Sequence, residues 1–397
     1  MQTLDVLAFG PAGRKTTRIA PIRLPARPRV DVSIIVPVLD EVAHLEATVR
    51  AMLAQDFPGT LELLLIDGGS TDGSLRLLDA MAQQDPRVRV LHNPDRVVPH
   101  ALNIGLRAAR GRFVARMDAH TVYGSEYLRH GVARLERGDV DWVSGPPVPV
   151  GSGRWSRRVA AALGSGLGRG ASDKWQSEDE TDAPEEWELT TSVFAGVWRR
   201  DTLDALGGWD PDWTVNEDSE MASRLLADGG RLVCRSDMAS RYSPRDSISG
   251  LARQYRSYGR FRARTFVRHP ESAGPLRVAT AALPLAIASA ALPGRVGRLG
   301  RLATLGYGAL VAAQAVRTAG VSRDAPGLAA VLATMHVTFA SGFLEGLVVD
   351  GPRRRTIRSS APEPIVRPSA VRGVWRLGEP VSAASVQFAA RGERRVA

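Results

Sequence analysis

Between Val32 and Met117 the chain alternates short aliphatic, β-branched runs with stretches of helical period, a pattern few folds accept. Val32-Ser-Ile-Ile-Val-Pro-Val38 and Leu61-Glu-Leu-Leu-Leu-Ile66 are short and almost continuously apolar, so they read as strands buried on both faces. Residues 88–91 and 112–117 read as two more, with helices expected over 42–54, 74–83 and 100–109. Alternation at this spacing predicts an α/β fold whose doubly wound, mostly parallel sheet is covered on both sides. Ligands gather at the carboxyl ends of the strands in such sheets. Two acidic loops lie at that edge: Asp67-Gly-Gly-Ser-Thr-Asp-Gly73 and Asp118-Ala-His120.

Past Tyr127 the pattern loosens. Residues 155–187 combine a Gly-rich stretch with Glu178, Asp179, Glu180, Asp182, Glu185 and Glu186, which predicts a mobile loop. Order is expected again from Thr191 to Gly196. Asn216-Glu-Asp218 then opens an amphipathic helix, with Met221, Leu225 and Leu226 on one face. Three uncharged Ala- and Leu-rich runs follow, over 278–292, 302–316 and 325–344. Two are shorter than the ~20 residues that cross a bilayer, and the third is about long enough. A buried helical bundle and membrane embedding both account for such runs; three in succession favour the membrane. On that reading a chain ended near Pro270 is soluble, while the full chain needs detergent. The expected organisation is a flexible basic arm over 1–30, an α/β domain over 31–248, a basic helix with hydrophobic membrane-associated helices over 249–350, and a basic, disordered tail over 351–397.

Charge supports this division. The net charge is +10, but residues 31–250 carry an acidic excess and both flanks a basic one. An acidic body with basic flanks is not the even footprint of a nucleic-acid-binding domain, and no nucleic-acid partner is expected. It fits a soluble unit tethered to an anionic membrane surface. Arginine supplies almost all of the positive charge, since Lys15 and Lys174 are the only lysines. The first thirty residues hold no apolar run resembling a secretory signal. Cys234, the single cysteine, cannot form an intrachain disulfide, and a reduced cytosolic face is the expected setting.

Three acidic stations carry the chemistry. Asp67 ends a strand in a Gly-Gly-Ser turn, where its carboxylate either shapes the turn or accepts a hydrogen bond from a base or ribose. Asp118 and His120 alternate at a strand end; they form a capping pair or converge on a divalent cation, Mg²⁺ or Mn²⁺, that bridges a nucleotide diphosphate. Asp218, preceded by Glu217, stands at a helix start, where it complements the helix dipole or serves as a base.

The ordered set of motifs resembles family 2 glycosyltransferases. It comprises Val32-Ser-Ile-Ile-Val-Pro-Val-Leu-Asp-Glu41, Leu65-Ile-Asp-Gly-Gly-Ser-Thr-Asp72, Asn103-Ile-Gly105, Ala109-Arg-Gly111, Met117-Asp-Ala-His120, Gly207-Gly-Trp-Asp210 and Asn216-Glu-Asp218. Gln254-Tyr-Arg-Ser-Tyr-Gly-Arg260 and Met335-His with Gly342-Phe-Leu-Glu-Gly346 resemble the bacterial exopolysaccharide branch typified by succinoglycan glucosyltransferases. The resemblance implies a GT-A fold, a nucleotide-sugar donor, a divalent metal and inversion at the anomeric carbon. It implies that Pro37 and Glu41 border the nucleoside, that Asp67 binds the base, and that Asn103 belongs to the donor site. Asp118 then faces the diphosphate and the metal with His120, and Asp218 is the general base. Such a base must stay ionised at neutral pH, so it should be partly solvated or near a cation.

Three departures from the family pattern stand out. Gly68 occupies the place of a second acidic residue, and His120 replaces the last carboxylate of the usual Asp-x-Asp; imidazole suits Mn²⁺ better than Mg²⁺. The Gln-x-x-Arg-Trp element of processive synthases is blurred around Gln254 and Arg256, which argues against processive polymerisation. Arg253, Arg256 and Arg260, with Gln254, either clamp a diphosphate or lie on lipid headgroups. The implied activity is transfer of a hexose to a saccharide or lipid-linked saccharide in cell-surface polysaccharide synthesis, at the cytoplasmic face of the inner membrane. The alternatives are a non-catalytic nucleotide-sugar-binding subunit of a polysaccharide assembly complex and a polyprenyl-phosphate glycosyltransferase.

Overall fold

The computed structural model describes residues 30–170, 172, 174–175, 184–270 and 282–351. The basic arm up to residue 29, the tail from 352 and the acidic cluster Glu178 to Asp182 lie outside the described residues, as do residues 278–281 of the first apolar run.

An eight-stranded sheet organises the chain. In spatial order its strands are β3 (Val88–His92), β2 (Leu61–Asp67), β1 (Val32–Val38), β4 (Phe113–Arg116), β9 (Gly196–Arg199), β6 (Trp142–Ser144), β10 (Leu232–Arg235) and β8 (Glu186–Glu188). β1 pairs in parallel with β2 and β4, β2 with β3, and β10 with β6. Only β9 and β8 run against their neighbours. The expected α/β fold with a mostly parallel sheet is therefore present. A small second sheet joins β5 (Val122–Tyr123), β11 (Ser240–Tyr242) and β7 (Pro147–Pro149).

The apolar runs explain why the sheet is sandwiched. Alternate side chains of β1 enter different cores: Ile34 and Val36 pack with Leu45, Val49 and Met52 of α1 (Val42–Leu53) and Leu78 of α2 (Ser74–Gln84). Ile35 faces Leu102 and Leu106 of α3 (Val98–Ala108) on the other side. α4 (Tyr127–Glu136) joins the first layer through Leu128 and Leu135. Burying each such side chain contributes roughly 1.5–3 kcal/mol, so a run apolar at every position suits a strand with two dry faces. Trp142, Trp198 and Trp209 interlock in the second core, with ring centroids 4.7 and 5.8 Å apart.

Within the expected loop over 155–187, the residues up to 169 form two helices instead. Arg154–Gly164 forms α5 and Gly166–Arg169 forms α6. The glycines there concealed an amphipathic stretch: Val159, Ala162 and Leu163 of α5 bury against the C-terminal helices. Order does resume after Thr191, but the strand begins only at Gly196, followed by α7 (Arg200–Ala205). α8 (Glu217–Ala227) starts where the Asn216-Glu-Asp218 motif predicts.

Among the described residues four further helices follow: α9 (Ile248–Arg268), α10 (Leu283–Ser289), α11 (Gly294–Ala319) and α12 (Ala325–Asp350). α12 runs along α9 at very close range. A Cβ at Gly259 would lie 2.0 Å from the Phe339 carbonyl oxygen, and one at Gly342 would lie 2.0 Å from that of Arg256, so only glycine fits at either place. α9 is also fastened to the sheet unit. Trp213 is fully buried, with the guanidiniums of Arg264 and Arg268 4.4 and 4.1 Å from its ring centroid, and its indole N–H donates to Thr265 Oγ1 at 3.0 Å. Arg268 also pairs with Asp210 and, at 3.1 Å, with Glu220.

Candidate active site

Four neighbouring parallel strands end at one edge of the sheet, and their ends line a cleft. Pro37, Val38, Leu39 and Glu41 come from the end of β1, Ile66 and Gly68 from β2, and Asn93 from just beyond β3. Arg116, Asp118, Ala119 and His120 come from the end of β4. Arg96, Val97, Val98 and Ala101 at the start of α3 close the far wall. Part of this lining is apolar, through Pro37, Val38, Leu39, Ile66, Val97 and Val98, and part carries cation and carboxylate, through Arg96, Arg116, Glu41 and Asp118. A heterocycle fits the first and a phosphate group the second.

The cleft floor is set by two loops stitched together. The Asp67 carboxylate accepts from the Gly69 N–H at 2.8 Å and the Ser70 N–H at 3.2 Å, so it shapes its own turn. Ser70 Oγ accepts from the Asp40 N–H at 3.0 Å, Asp40 Oδ1 accepts from the Thr71 N–H at 2.7 Å, and Asp72 accepts from the Val42 N–H at 2.9 Å. This last contact caps α1 with a carboxylate borrowed from the neighbouring loop.

Arg116 links the cleft to the helix start beyond it. Its Nε lies 3.1 Å from Asp118 Oδ1 and its Nη1 lies 2.8 Å from Glu217 Oε1, with the side chain only 6% exposed. Burial opposes its charge, but Asp118, Glu217 and Asp218 together hold it firmly protonated. Asp218 accepts from Ser192 Oγ at 2.8 Å. Burial pushes its carboxyl upward, yet Lys174, Arg116 and the Ser192 hydroxyl outweigh burial and keep it below the usual carboxylate range. Glu217 goes the other way, raised by burial against the pull of Arg116. The two adjacent carboxyls are thus shifted in opposite directions, Asp218 downward and Glu217 upward. The backbone is special here too: Asn216 has φ 59°, and its side-chain amide donates to the Tyr258 carbonyl of α9 at 3.1 Å. Asn is one of the few residues that tolerates the left-handed region.

The structure therefore brings Pro37, Glu41, Asp118 and His120 together in the cleft, and Arg116 joins Asp118 to Glu217; Asp218, next to Glu217, is not part of the cleft lining and feels the charge of Arg116. It holds the other expected site residues elsewhere. The Asn103 amide donates to the Trp209 carbonyl at 2.6 Å and accepts from the Trp209 N–H at 2.9 Å, so it pins the Gly207-Gly-Trp turn to α3. Arg256 pairs with Glu345 of α12 at 2.8 Å, and Arg260 approaches the same carboxylate at 3.9 Å. Gln254 donates to the Tyr258 hydroxyl at 2.9 Å, and Arg253 is exposed. Neither these five nor Asp67, expected to bind the base but buried with its carboxylate on the Gly69 and Ser70 N–H groups, lines the cleft. Sequence reasoning missed Arg116, Ser192 and Lys174. Arg116 left a signal, as the one charge at the end of an apolar strand and two residues from Asp118, hence on the same face. Lys174 left another, as one of two lysines in an arginine-rich chain.

The fit to a divalent cation is partial. Among the described residues no group of three or more His, Cys, Asp or Glu side chains is arranged to hold an ion. Asp118 has one oxygen on Arg116, and His120 Nδ1 lies 2.8 Å from Glu41 Oε1. The bond to Glu41 raises the His120 pKa despite burial, with Asp118 adding to it. One carboxylate and one imidazole suffice for a cation whose remaining ligands are substrate phosphates and water, and not for a cage built by the protein alone.

Residues 33–195 match the family described as glycosyl transferase family 2. The chain is 31% identical over 324 residues to the succinoglycan biosynthesis protein ExoA of Rhizobium meliloti (strain 1021), across 79% of this chain and 94% of that protein. It is 23% identical over 240 residues to the dolichyl N-acetyl-alpha-D-glucosaminyl phosphate 3-beta-D-2,3-diacetamido-2,3-dideoxy-beta-D-glucuronosyltransferase of Methanococcus voltae, across 57% of this chain and 71% of that one. Among solved structures, the mannosyltransferase PcManGT from Pyrobaculum calidifontis in complex with GDP-Man and Mn²⁺ is 22% identical, with a TM-score of 0.49 over 84% of this chain and 91% of that one.

Proposed function

Since the chain belongs to glycosyl transferase family 2 and is a glycosyltransferase, we propose that its cleft binds a nucleotide-sugar donor and that Asp218 drives an inverting transfer. The observation that carries this reading is Asp218 held below the usual carboxylate range by the charge of Arg116, whose guanidinium pairs with Asp118 in the cleft. The acceptor hydroxyl attacks the anomeric carbon as Asp218 takes its proton. The new C–O bond forms while the bond to the diphosphate oxygen breaks, and the nucleoside diphosphate leaves with the electron pair. Pro37 and Glu41 border the nucleoside, and Arg116 faces the leaving charge. Asp118 and His120 are the residues that would hold a divalent metal with the donor phosphates; when bound, it neutralises charge on the leaving group. Ser192 and Lys174 keep the base ionised.

The sugar is a hexose and the acceptor a saccharide or lipid-linked saccharide of a cell-surface polysaccharide, handled at the cytoplasmic face of the inner membrane. Support comes from the relative in succinoglycan biosynthesis and from the exposed leucines of α10 and α11. The test is release of nucleoside diphosphate by the full chain from a panel of UDP-, GDP- and dTDP-hexoses, with lipid-linked saccharides as acceptors. One donor should turn over, chelation should stop it, and Mn²⁺ should restore it better than Mg²⁺. Turnover that is undiminished in chelator removes the metal role of Asp118 and His120; no turnover with any nucleotide sugar overturns the reading.

A further inference from the structure

Helices α10 and α11 form a hairpin whose two faces differ in kind. The inner face of α11 packs against α5 and α12 through Val311 and Ala315, while Gly297 and Gly300 close on the end of α10. The outer face carries Val296, Leu299, Leu302, Leu305, Leu310 and Val316, with Leu285 and Leu292 continuing it onto α10 and the turn. These side chains range from 42% exposed at Val316 to 70% at Leu305. Scattered exposed apolar side chains are ordinary; six leucines and two valines on one hairpin form a patch of the kind that marks an interaction surface.

Charge identifies the occupant. From Leu283 to Arg323 there is no acidic residue, and Arg295, Arg298 and Arg301 crowd the start of α11, with Arg317 and Arg323 beyond its apolar stretch. Leucines flanked by arginines alone match acyl chains beneath anionic headgroups, because arginine stems lie along apolar surface while the guanidinium reaches the phosphates. Length decides how deep the hairpin goes. The uncharged stretch from Leu302 to Val316 spans roughly 22 Å at 1.5 Å per residue, short of the ~30 Å hydrocarbon core. α12 is the one described helix long and apolar enough to cross a membrane, yet it packs along α9 and α5, and its Glu345 pairs with Arg256. Hydropathy therefore points to the wrong helix. α12 is the more apolar of the two and packs along its neighbours, whereas α11 leaves its leucines uncovered.

We propose that the α10–α11 hairpin docks this enzyme into one leaflet of an anionic bilayer, with its leucines among the acyl chains and Arg295, Arg298 and Arg301 on lipid phosphates. This rests on the reading that the enzyme works at a membrane, and it names the surface that does the binding.

Flotation of the full chain with vesicles tests it, using phosphatidylcholine alone and with about one third phosphatidylglycerol. The wild type should float with the anionic vesicles. The triple substitution Leu299→Gln, Leu302→Gln, Leu305→Gln should lower the lipid-bound to free ratio at least ~tenfold. Arg295→Gln, Arg298→Gln, Arg301→Gln should lower it to a similar degree, and only for the anionic vesicles. Neither set touches the cleft, so donor turnover in detergent should be unchanged. A second readout does not depend on those variants folding. Cys234 is fully buried, so in Leu305→Cys a thiol-reactive, polarity-sensitive dye reports on position 305, and its emission should shift to the blue when anionic vesicles are added. If the wild type and the leucine variant float alike and the dye is unmoved, the hairpin is not the docking surface, although the membrane reading stands. A wild type that stays unbound to every vesicle overturns both. A lipid-free dimer that the leucine substitutions dissociate would assign the patch to a second copy of the chain and overturn the proposal.

Discussion

Asp218, the proposed base, shows how neighbours far away in sequence set the state of one side chain. Its carboxylate is buried, and it stays ionised because Ser192, Lys174 and Arg116 converge on it. Asp218→Asn keeps the shape and removes the proton acceptor. Turnover should fall by ~10²–10⁴-fold while the affinity for nucleoside diphosphate, measured by calorimetry, changes little. Loss of affinity with turnover retained would move the role to Glu217. Ser192→Ala removes a hydrogen bond that favours the charged carboxylate, so the Asp218 pKa should rise. The acidic limb of the kcat–pH profile should then move to higher pH, with activity recovered at alkaline pH; a merely structural role for Ser192 would lower the whole profile without moving the limb. The acidic stations were legible because strand ends and helix starts can be read from periodicity. Asn103 was not. Its partner Trp209 is 106 residues away, and only the folded chain shows that its amide is committed to that backbone.

At the scale of elements, the α9–α12 seam explains residues whose spacing looked like ligand chemistry. Gly342 and Gly346 allow backbone to meet backbone, and Glu345 between them neutralises Arg256. Gly342→Val should therefore separate the helices, lowering stability by about 1–3 kcal/mol or more. It should also reduce kcat without weakening nucleotide binding, because α9 holds Asn216 through the Tyr258 carbonyl. Denaturant titration and saturating-donor kinetics check both parts; an unchanged midpoint would mean the helices give way freely. The same seam revises the soluble fragment expected from hydropathy. Ending the chain near Pro270 strips α12 from α9 and uncovers the buried residues of α5. Strands and helices of the sheet were legible from their repeating apolar period. α5 was not, because its glycine-rich neighbourhood reads as a loop until a partner surface is supplied from the far end of the chain.

Across the whole molecule, the joint between the sheet unit and the C-terminal helices is ionic at its centre. Glu220 is fully buried and meets Arg268, Arg224 and His269, while Asp210 shares Arg268. Burial alone would raise the Glu220 pKa, yet His269, Arg224 and Arg268 outweigh it and hold the carboxyl at about 2, against an ordinary value of 4.5. A depressed pKa stabilises the fold above the unfolded value and loses that contribution as pH falls through the folded one. The contribution is about 3 kcal/mol and should be lost between about pH 4.5 and 2. Unfolding midpoints measured through that window should fall steeply for the wild type; Glu220→Gln should already be less stable at pH 7 and show a flatter acid slope. A wild-type curve no steeper than that of Glu220→Gln would remove Glu220 from the joint. The dependence of Asn216 on α9, and of α9 on α12, also has a consequence in time. Asp218 is synthesised well before the helix that completes its surroundings. At ~5–20 residues per second, on the order of ten seconds pass before Gly342 follows it out of the ribosome. During that interval the sheet can form with its cleft, but the helix that steadies the base has nothing to lean on. On the proposed mechanism the enzyme becomes competent only after α12 has been made, so an interrupted translation product should bind nucleotide and transfer nothing.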